Sequence, residues 1–252
     1  MKCIVLAAGY ATRLYPLTEN FPKPLLNVNG KTILDYLLDD ISSNCEVEEF
    51  IVVSNHKFFD IFKKWSEESN YNIKVLDDGS ISNEERLGAV KDISFAYHNT
   101  ELSDSYLVIA GDNLLDFSLG EFVSFAKEKN TSCVMRYELD DINKLRKTGV
   151  LELSGDRVIG MEEKPVNPKS NCACPPFYYY LDKDIKRVDE ALLDGCKYDA
   201  PGSFVSWLCK KSEVNSFLMP GNRYDIGNLE SYENVKKIYK GVNYENKSRI
   251  KK

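Results

Sequence analysis

The chain has 252 residues, 43% of them apolar and 29% charged, with 15 Tyr and 12 Phe spread along its length. That composition belongs to a globular chain able to bury a core and excludes an intrinsically disordered one. A formal charge of −6 without a basic block speaks against a nucleic-acid partner, and no apolar run reaches the roughly 18 residues of a membrane span.

In chain order, residues 3–8 read as a buried strand, apolar on both faces and too short for the core of a secretion signal. Residues 32–41 place Ile33, Leu37, Leu38 and Ile41 on one helical face. A second buried strand is predicted over 49–53, then a helix carrying Phe58, Phe59, Phe62 and Trp65. A short strand at 73–76, a helix over 87–97 and a strand over 106–110 follow, the last ending at Gly111-Asp112. Such alternation predicts an α/β fold, a mainly parallel sheet with helices on both sides. Beyond about residue 128 the rhythm changes. Strand-like pieces at 131–137, 149–153, 157–161 and 177–181 crowd together, with helices expected over 183–193 and 203–211. These should extend the same sheet with a mixed, partly antiparallel half. No Gly/Ser/Pro linker divides the chain, so 1–241 is expected to be one domain and 242–252 a basic tail. The seven Cys are odd in number and scattered, which argues for reduced, unliganded thiols in the cytoplasm.

The stretch with most chemistry follows the first strand: Leu6-Ala-Ala-Gly-Tyr-Ala-Thr-Arg-Leu-Tyr-Pro-Leu-Thr18, then Phe21-Pro-Lys-Pro-Leu-Leu26. It can be read as a Rossmann-like turn with close helix–strand packing, Arg13 and Lys23 being solvated cations. It can equally be a phosphate cradle of backbone amides at the ligand-binding edge of an open sheet, with both cations offsetting a triphosphate. Spacing leaves both open. A P-loop is ruled out because its first glycine would fall at Leu25, and a dinucleotide fingerprint fails at Ala11 and Leu14.

The segment resembles the signature of the sugar-phosphate nucleotidyltransferases, the glucose-1-phosphate thymidylyl- and uridylyltransferase group. Their pattern is L-A-[AG]-G-x-G-T-R-L-x-P-L-T, then P-K-P-L, and Ala11 stands where the second glycine is usual. The resemblance implies a Rossmann-like nucleotide-diphospho-sugar transferase fold, a mixed, mainly parallel central sheet flanked by helices. It implies transfer of a nucleotidyl group from an NTP to a sugar-1-phosphate, with pyrophosphate leaving. Leu6, Ala7, Ala8 and Gly9 would bind the nucleotide, as would Gly88 at the opening of the third helix. Arg13, Lys23 and Asp112 would be catalytic. Asp112 and Asp225 would hold Mg²⁺, a role that needs one or two carboxylates. Gly149, Glu163 and Lys164 would bind the sugar phosphate.

Each assignment has a blander counterpart: a turn cap for Asp112, a helix-start glycine for Gly88, a solvated edge hairpin for Glu163 and Lys164. One stretch departs from the family. Cys174-Pro-Pro-Phe177 occupies the segment where a glycine near the sugar is usual, which puts glucose itself in doubt. Cytidylyl transfer to a non-sugar phosphate such as phosphocholine, or a non-catalytic nucleotide-sugar sensor, are the rival readings. No hexapeptide repeat is visible, so a single activity is expected. Tyr178, Tyr179 and Tyr180 are expected in the core more than at an interface, and a homo-oligomer is allowed without being specified.

Overall fold

The computed structural model describes residues 1–243, so the expected basic tail lies, but for its first two residues, outside the described residues. The N-terminal half alternates strand and helix. Strand β1 (Lys2–Leu6) leads through the signature loop to a short hairpin, β2 (Asn27–Val28) and β3 (Lys31–Thr32), and to α1 (Ile33–Asn44). Thr32 caps α1, its hydroxyl accepting from the Asp35 amide at 3.0 Å. Then come β4 (Glu49–Ser54), α2 (Phe59–Glu67), β5 (Ile73–Asp77), α3 (Ala89–His98), β6 (Ser105–Ala110), β7 (Asn113–Leu115) and α4 (Gly120–Lys129). The remainder is β8 (Ser132–Glu138), α5 (Ile142–Leu145), β9 (Gly149–Ser154), β10 (Arg157–Glu163), β11 (Cys172–Cys174) and β12 (Phe177–Leu181). It closes with α6 (Asp182–Ile185), α7 (Val188–Leu193), α8 (Gly202–Leu208), β13 (Val214–Leu218), β14 (Arg223–Asp225) and α9 (Leu229–Ile238).

Ten strands form one sheet in the order β11-β9-β10-β13-β8-β12-β6-β1-β4-β5. Strands β5, β4, β1 and β6 run parallel, and β12 enters antiparallel between β6 and β8, so the second half is mixed as expected. Because β1 is buried on both faces, Cys3 and Val5 join one core and Ile4 the other. Helices α1, α2 and α4 cover the first face, and α3, α7 and α8 the second. The tyrosines of β12 obey the same alternation, Tyr178 and Tyr180 facing one core and Tyr179 the other, all buried. Each such aromatic contributes about 1.5–3 kcal/mol by leaving water.

The expected helix over 183–193 is broken into α6 and α7. Arg187 closes a three-residue turn, its amide donating to the Asp184 carbonyl at 3.1 Å, and that turn lets Ile185 and Val188 both reach the core. The hairpin read at Glu163 and Lys164 corresponds to the antiparallel pairing of β9 and β10, which runs to Glu163 opposite Gly149, and β13 joins β10 only at Arg157. The seven cysteines are free thiols. Among the described residues, no helix is long and apolar enough to cross a membrane.

Candidate active site

The C-terminal ends of the four parallel strands share one edge of the sheet, and the signature loop rises from it. Beyond β1 the chain stays pinned: the Ala7 amide donates to the Val53 carbonyl at 2.9 Å, and buried Asn55 donates to the Ala8 carbonyl at 3.0 Å. Tyr10 is anchored through its hydroxyl to the Ser80 carbonyl at 3.0 Å. Among the described residues nothing accepts from the amides of Gly9, Tyr10 and Ala11, so this loop keeps donors free for an anion.

Ala11 takes the left-handed conformation, φ 48° and ψ 40°, the geometry that a glycine there would adopt without strain. The Leu14 amide and the buried Thr18 hydroxyl hold it by donating to its carbonyl at 2.9 and 2.8 Å, which gives the threonine at the end of the motif a structural task. A left-handed alanine costs about 1 kcal/mol. Ala11→Gly is therefore expected to raise stability by roughly 0.5–1 kcal/mol, seen as a higher urea midpoint at unchanged slope; a lower midpoint would contradict the strain.

Leu6, Ala7, Gly9, Arg13, Lys23, Asp112 and Gly227 line one cleft of about 580 Å³ out to its mouth. Arg13 is exposed at the rim. Lys23 sits between Pro22 and Pro24 in a 3₁₀ turn, whose fixed φ angles aim a side chain only 8% exposed at Asp112. The Lys23 Nζ lies 2.8 Å from Asp112 Oδ2, and Asn113 Nδ2 donates to Oδ1 at 2.9 Å. Burial pushes the Asp112 carboxyl up, but the Lys23 ammonium and the Arg223 guanidinium outweigh it and hold the carboxyl below its usual range. Asp112 is thus a carboxylate at neutral pH, with 39% of its side chain open to the cleft.

Asp225 reaches the same place by pairing. Strand β14 lies antiparallel to β7, with Asp225 opposite Asn113, the neighbour of Asp112. Arg223 donates to Asn113 Oδ1 at 2.6 Å and lies 3.9 Å from Asp225. A third small core backs this ribbon, where Leu14, Leu114, Ile226, Tyr232 and Tyr239 pack together. Asp112 lines the cleft, while Asp225 is exposed and outside its lining, placed opposite Asn113 by the strand register. A hard divalent cation that keeps waters and takes its remaining oxygens from phosphates needs one or two such carboxylates. Among the described residues no group of three or more His, Cys, Asp or Glu could hold a metal.

The rim continues across the sheet. The Ala110 amide donates to the Pro176 carbonyl at 3.1 Å, Cys174 pairs with Gly149, and Gly149 with Glu163. Lys164 follows at φ 49°, its amide donating to the Thr148 carbonyl at 3.0 Å. Burial lifts the Glu163 carboxyl above its usual range, although Lys164 and the Gly202 amide favour its ionised form. Gly88 stands apart from the cleft lining. It caps α3 at φ 90° against the Tyr198 carbonyl. Ala8 lies buried beneath the loop. Sequence reading did not single out Asn55, Gly202 or Arg223; for Arg223 the only signal was its place two residues before Asp225.

One edge of this open α/β sheet thus gathers a turn with free amides, the Asp112 carboxylate and the Arg13 and Lys23 cations. A family model described as nucleotidyl transferase matches residues 2–241, and the chain belongs to that family. It is 30% identical over 192 residues to a provisionally named mannose-1-phosphate guanyltransferase of Sulfolobus acidocaldarius, covering 75% of this chain and 51% of that protein. It is 25% identical over 245 residues to a glucose-1-phosphate adenylyltransferase of Fervidobacterium nodosum, covering 91% and 59%. The chain thus spans just over half the length of these curated relatives. A crystal structure of UDP-glucose pyrophosphorylase complexed with UDP-glucose superposes with a TM-score of 0.78 at 19% identity, covering 94% of this chain and 97% of the other. The fold is that of the nucleotide-diphospho-sugar transferases.

Proposed function

We propose that the protein transfers a nucleotidyl group from an NTP to a sugar-1-phosphate, with Mg²⁺, giving a nucleotide-sugar and pyrophosphate. The observation that carries this reading is the meeting of Arg13, Lys23 and Asp112 in one cleft, with Asp225 beside them through the β7–β14 register. An oxygen of the sugar phosphate attacks the α-phosphorus, one P–O bond forms, and the bond to the bridging oxygen of pyrophosphate breaks. The attacking sugar-phosphate oxygen is already anionic, so no general base is required, in keeping with a site without His. The work is to bring two anions together. Gly9 and Ala11 offer amides to the phosphates, Arg13 and Lys23 offset their charge, and Lys164 meets the incoming phosphate as a point charge. Glu163 accepts from sugar hydroxyls. Mg²⁺ held between Asp112 and Asp225 would neutralise the triphosphate.

The single sheet running from Lys2 to Leu218 supports 1–241 as one domain, and seven free thiols suit a reducing cytoplasm. The test is pyrophosphate release across a panel of NTPs and sugar-1-phosphates, with CTP plus phosphocholine as one arm. Release with a sugar-1-phosphate supports the proposal; silence across the panel ends it. With the active pair in hand, Lys164→Ala is expected to raise KM for the sugar phosphate by about tenfold or more, the worth of one charge-assisted contact. KM for the NTP should move less than about twofold. Equal shifts in both would remove Lys164 from the sugar-phosphate subsite.

A further inference from the structure

Two loops from distant parts of the chain are fastened to each other, one opening α3 at Gly88 and the other leading into α8 beside Glu163. Arg86 donates from Nε to Asp199 Oδ1 at 3.0 Å, and its Nη2 lies 2.8 Å from the same oxygen. The Val90 and Ala89 amides, at the open start of α3, donate to the carbonyls of Tyr198 and Asp199 at 2.9 and 3.3 Å. Lys91 Nζ stands 4.0 Å from the centroid of the Tyr198 ring. A Cβ on Gly88 would come within 2.7 Å of the Tyr198 carbonyl oxygen, so the fastening needs a residue without one.

The far end of the same segment holds Glu163. Pro201 caps α8, and the Ser203 and Phe204 amides donate back to Ala200 and Pro201 at 3.1 and 3.2 Å. This tight turn leaves little slack between Asp199 and Gly202. A Cβ on Gly202 would lie 2.2 Å from Glu163 Oε1, so backbone and carboxylate are in direct apposition, and a shift of Asp199 must move the wall against which Glu163 rests.

We infer that residues 198–202 form a strap that couples the nucleotide subsite to the sugar subsite, with Arg86 and Tyr198 as positioning residues for Glu163. This inference rests on the proposed nucleotidyl transfer. The resemblance assigns Gly88, at the opening of α3, to the nucleotide; on that assignment a nucleotide that orders this loop tightens the strap and sets Glu163 for the sugar, so the two substrates favour each other's binding.

The coupling is measured as the KM for the sugar phosphate at low and saturating NTP, using the most active pair of the panel. Wild type should show a fall of about tenfold. Arg86→Gln combined with Tyr198→Ala should show less than about twofold, with Arg86→Lys restoring part of the coupling. Hydrogen exchange on the full chain without substrates gives an arm independent of turnover. The double variant should speed exchange both at 88–90 and at 198–204. Faster exchange confined to 88–90, or a coupling unchanged in the double variant, overturns the strap. Failure of the whole panel would instead remove the reaction, while exchange still reports whether the two loops open together.

Discussion

Asp112→Asn is expected to lower pyrophosphate release by at least about a hundredfold, the scale of losing a charge poised at the reacting phosphates. The asparagine keeps the shape of the side chain and an oxygen for the Lys23 ammonium, now 2.8 Å away, so the fold should persist. Asp112→Ala loses the same activity but also strands Lys23, which is 7% exposed, and a stranded ammonium destabilises the fold. Comparing the two variants separates chemistry from folding. A second readout avoids turnover altogether. With NTP present, Mg²⁺ should raise the melting temperature of wild type by mass action and leave that of Asp112→Asn nearly unmoved. An asparagine variant with wild-type turnover would dismiss the carboxylate from the metal site.

Asp92→Asn should stabilise the protein, by roughly 3–4 kcal/mol near pH 7. Asp92 lies on α3, 5% exposed, and its Oδ1 is buried without a hydrogen-bond partner, as is Asp78 Oδ2 nearby. Burial, with a smaller push from the Asp78 charge, raises the Asp92 carboxyl from 3.8 to about 8. The sign follows from proton counts. Between pH 3.8 and about 8 the folded state holds a proton that the unfolded state has released, so stability falls as pH rises, by about 1.4 kcal/mol per unit. Below that window both states hold the proton, and above it both have lost it. Asn removes the ionisation, so its advantage should be near zero at pH 4 and greatest at pH 8. Urea unfolding of both proteins at those two values is the check. The same advantage at both would mean that Asp92 does not hold its proton in the folded state.

The elements that sequence reading placed well are those whose signal is local. The run at 3–8 announces a doubly buried strand, and β1 occupies Lys2–Leu6. The apolar spacing in 32–41 announces α1, and the Tyr-rich 177–181 coincides with β12. Part of the signature loop is local in the same way, as in Thr18 holding the Ala11 carbonyl, while Ala7, Ala8 and Tyr10 are pinned by Val53, Asn55 and Ser80 from far along the chain.

Other features depend on partners far along the chain. Asp225 stands next to Asp112 only because two three-residue strands, β7 and β14, pair, and three residues carry no readable period. The burial of Asp92 needed α3 packed against β1 and β4, with Asp78 brought near it from the turn after β5. No periodicity shows that β12 enters between β6 and β8, yet that insertion carries Pro176 to the end of β6.

The sequence by itself determined the strands and helices of the parallel half, because local sterics and hydrophobic periodicity act over a handful of residues, and it left open whether the signature loop is a close-packed turn or an amide cradle. Only the tertiary structure decided that Lys23 and Asp112 meet in one cleft, that Asp92 loses its water, and that Gly202 lies against Glu163. Those outcomes depend on strand order and register, which are set by pairing across the whole chain.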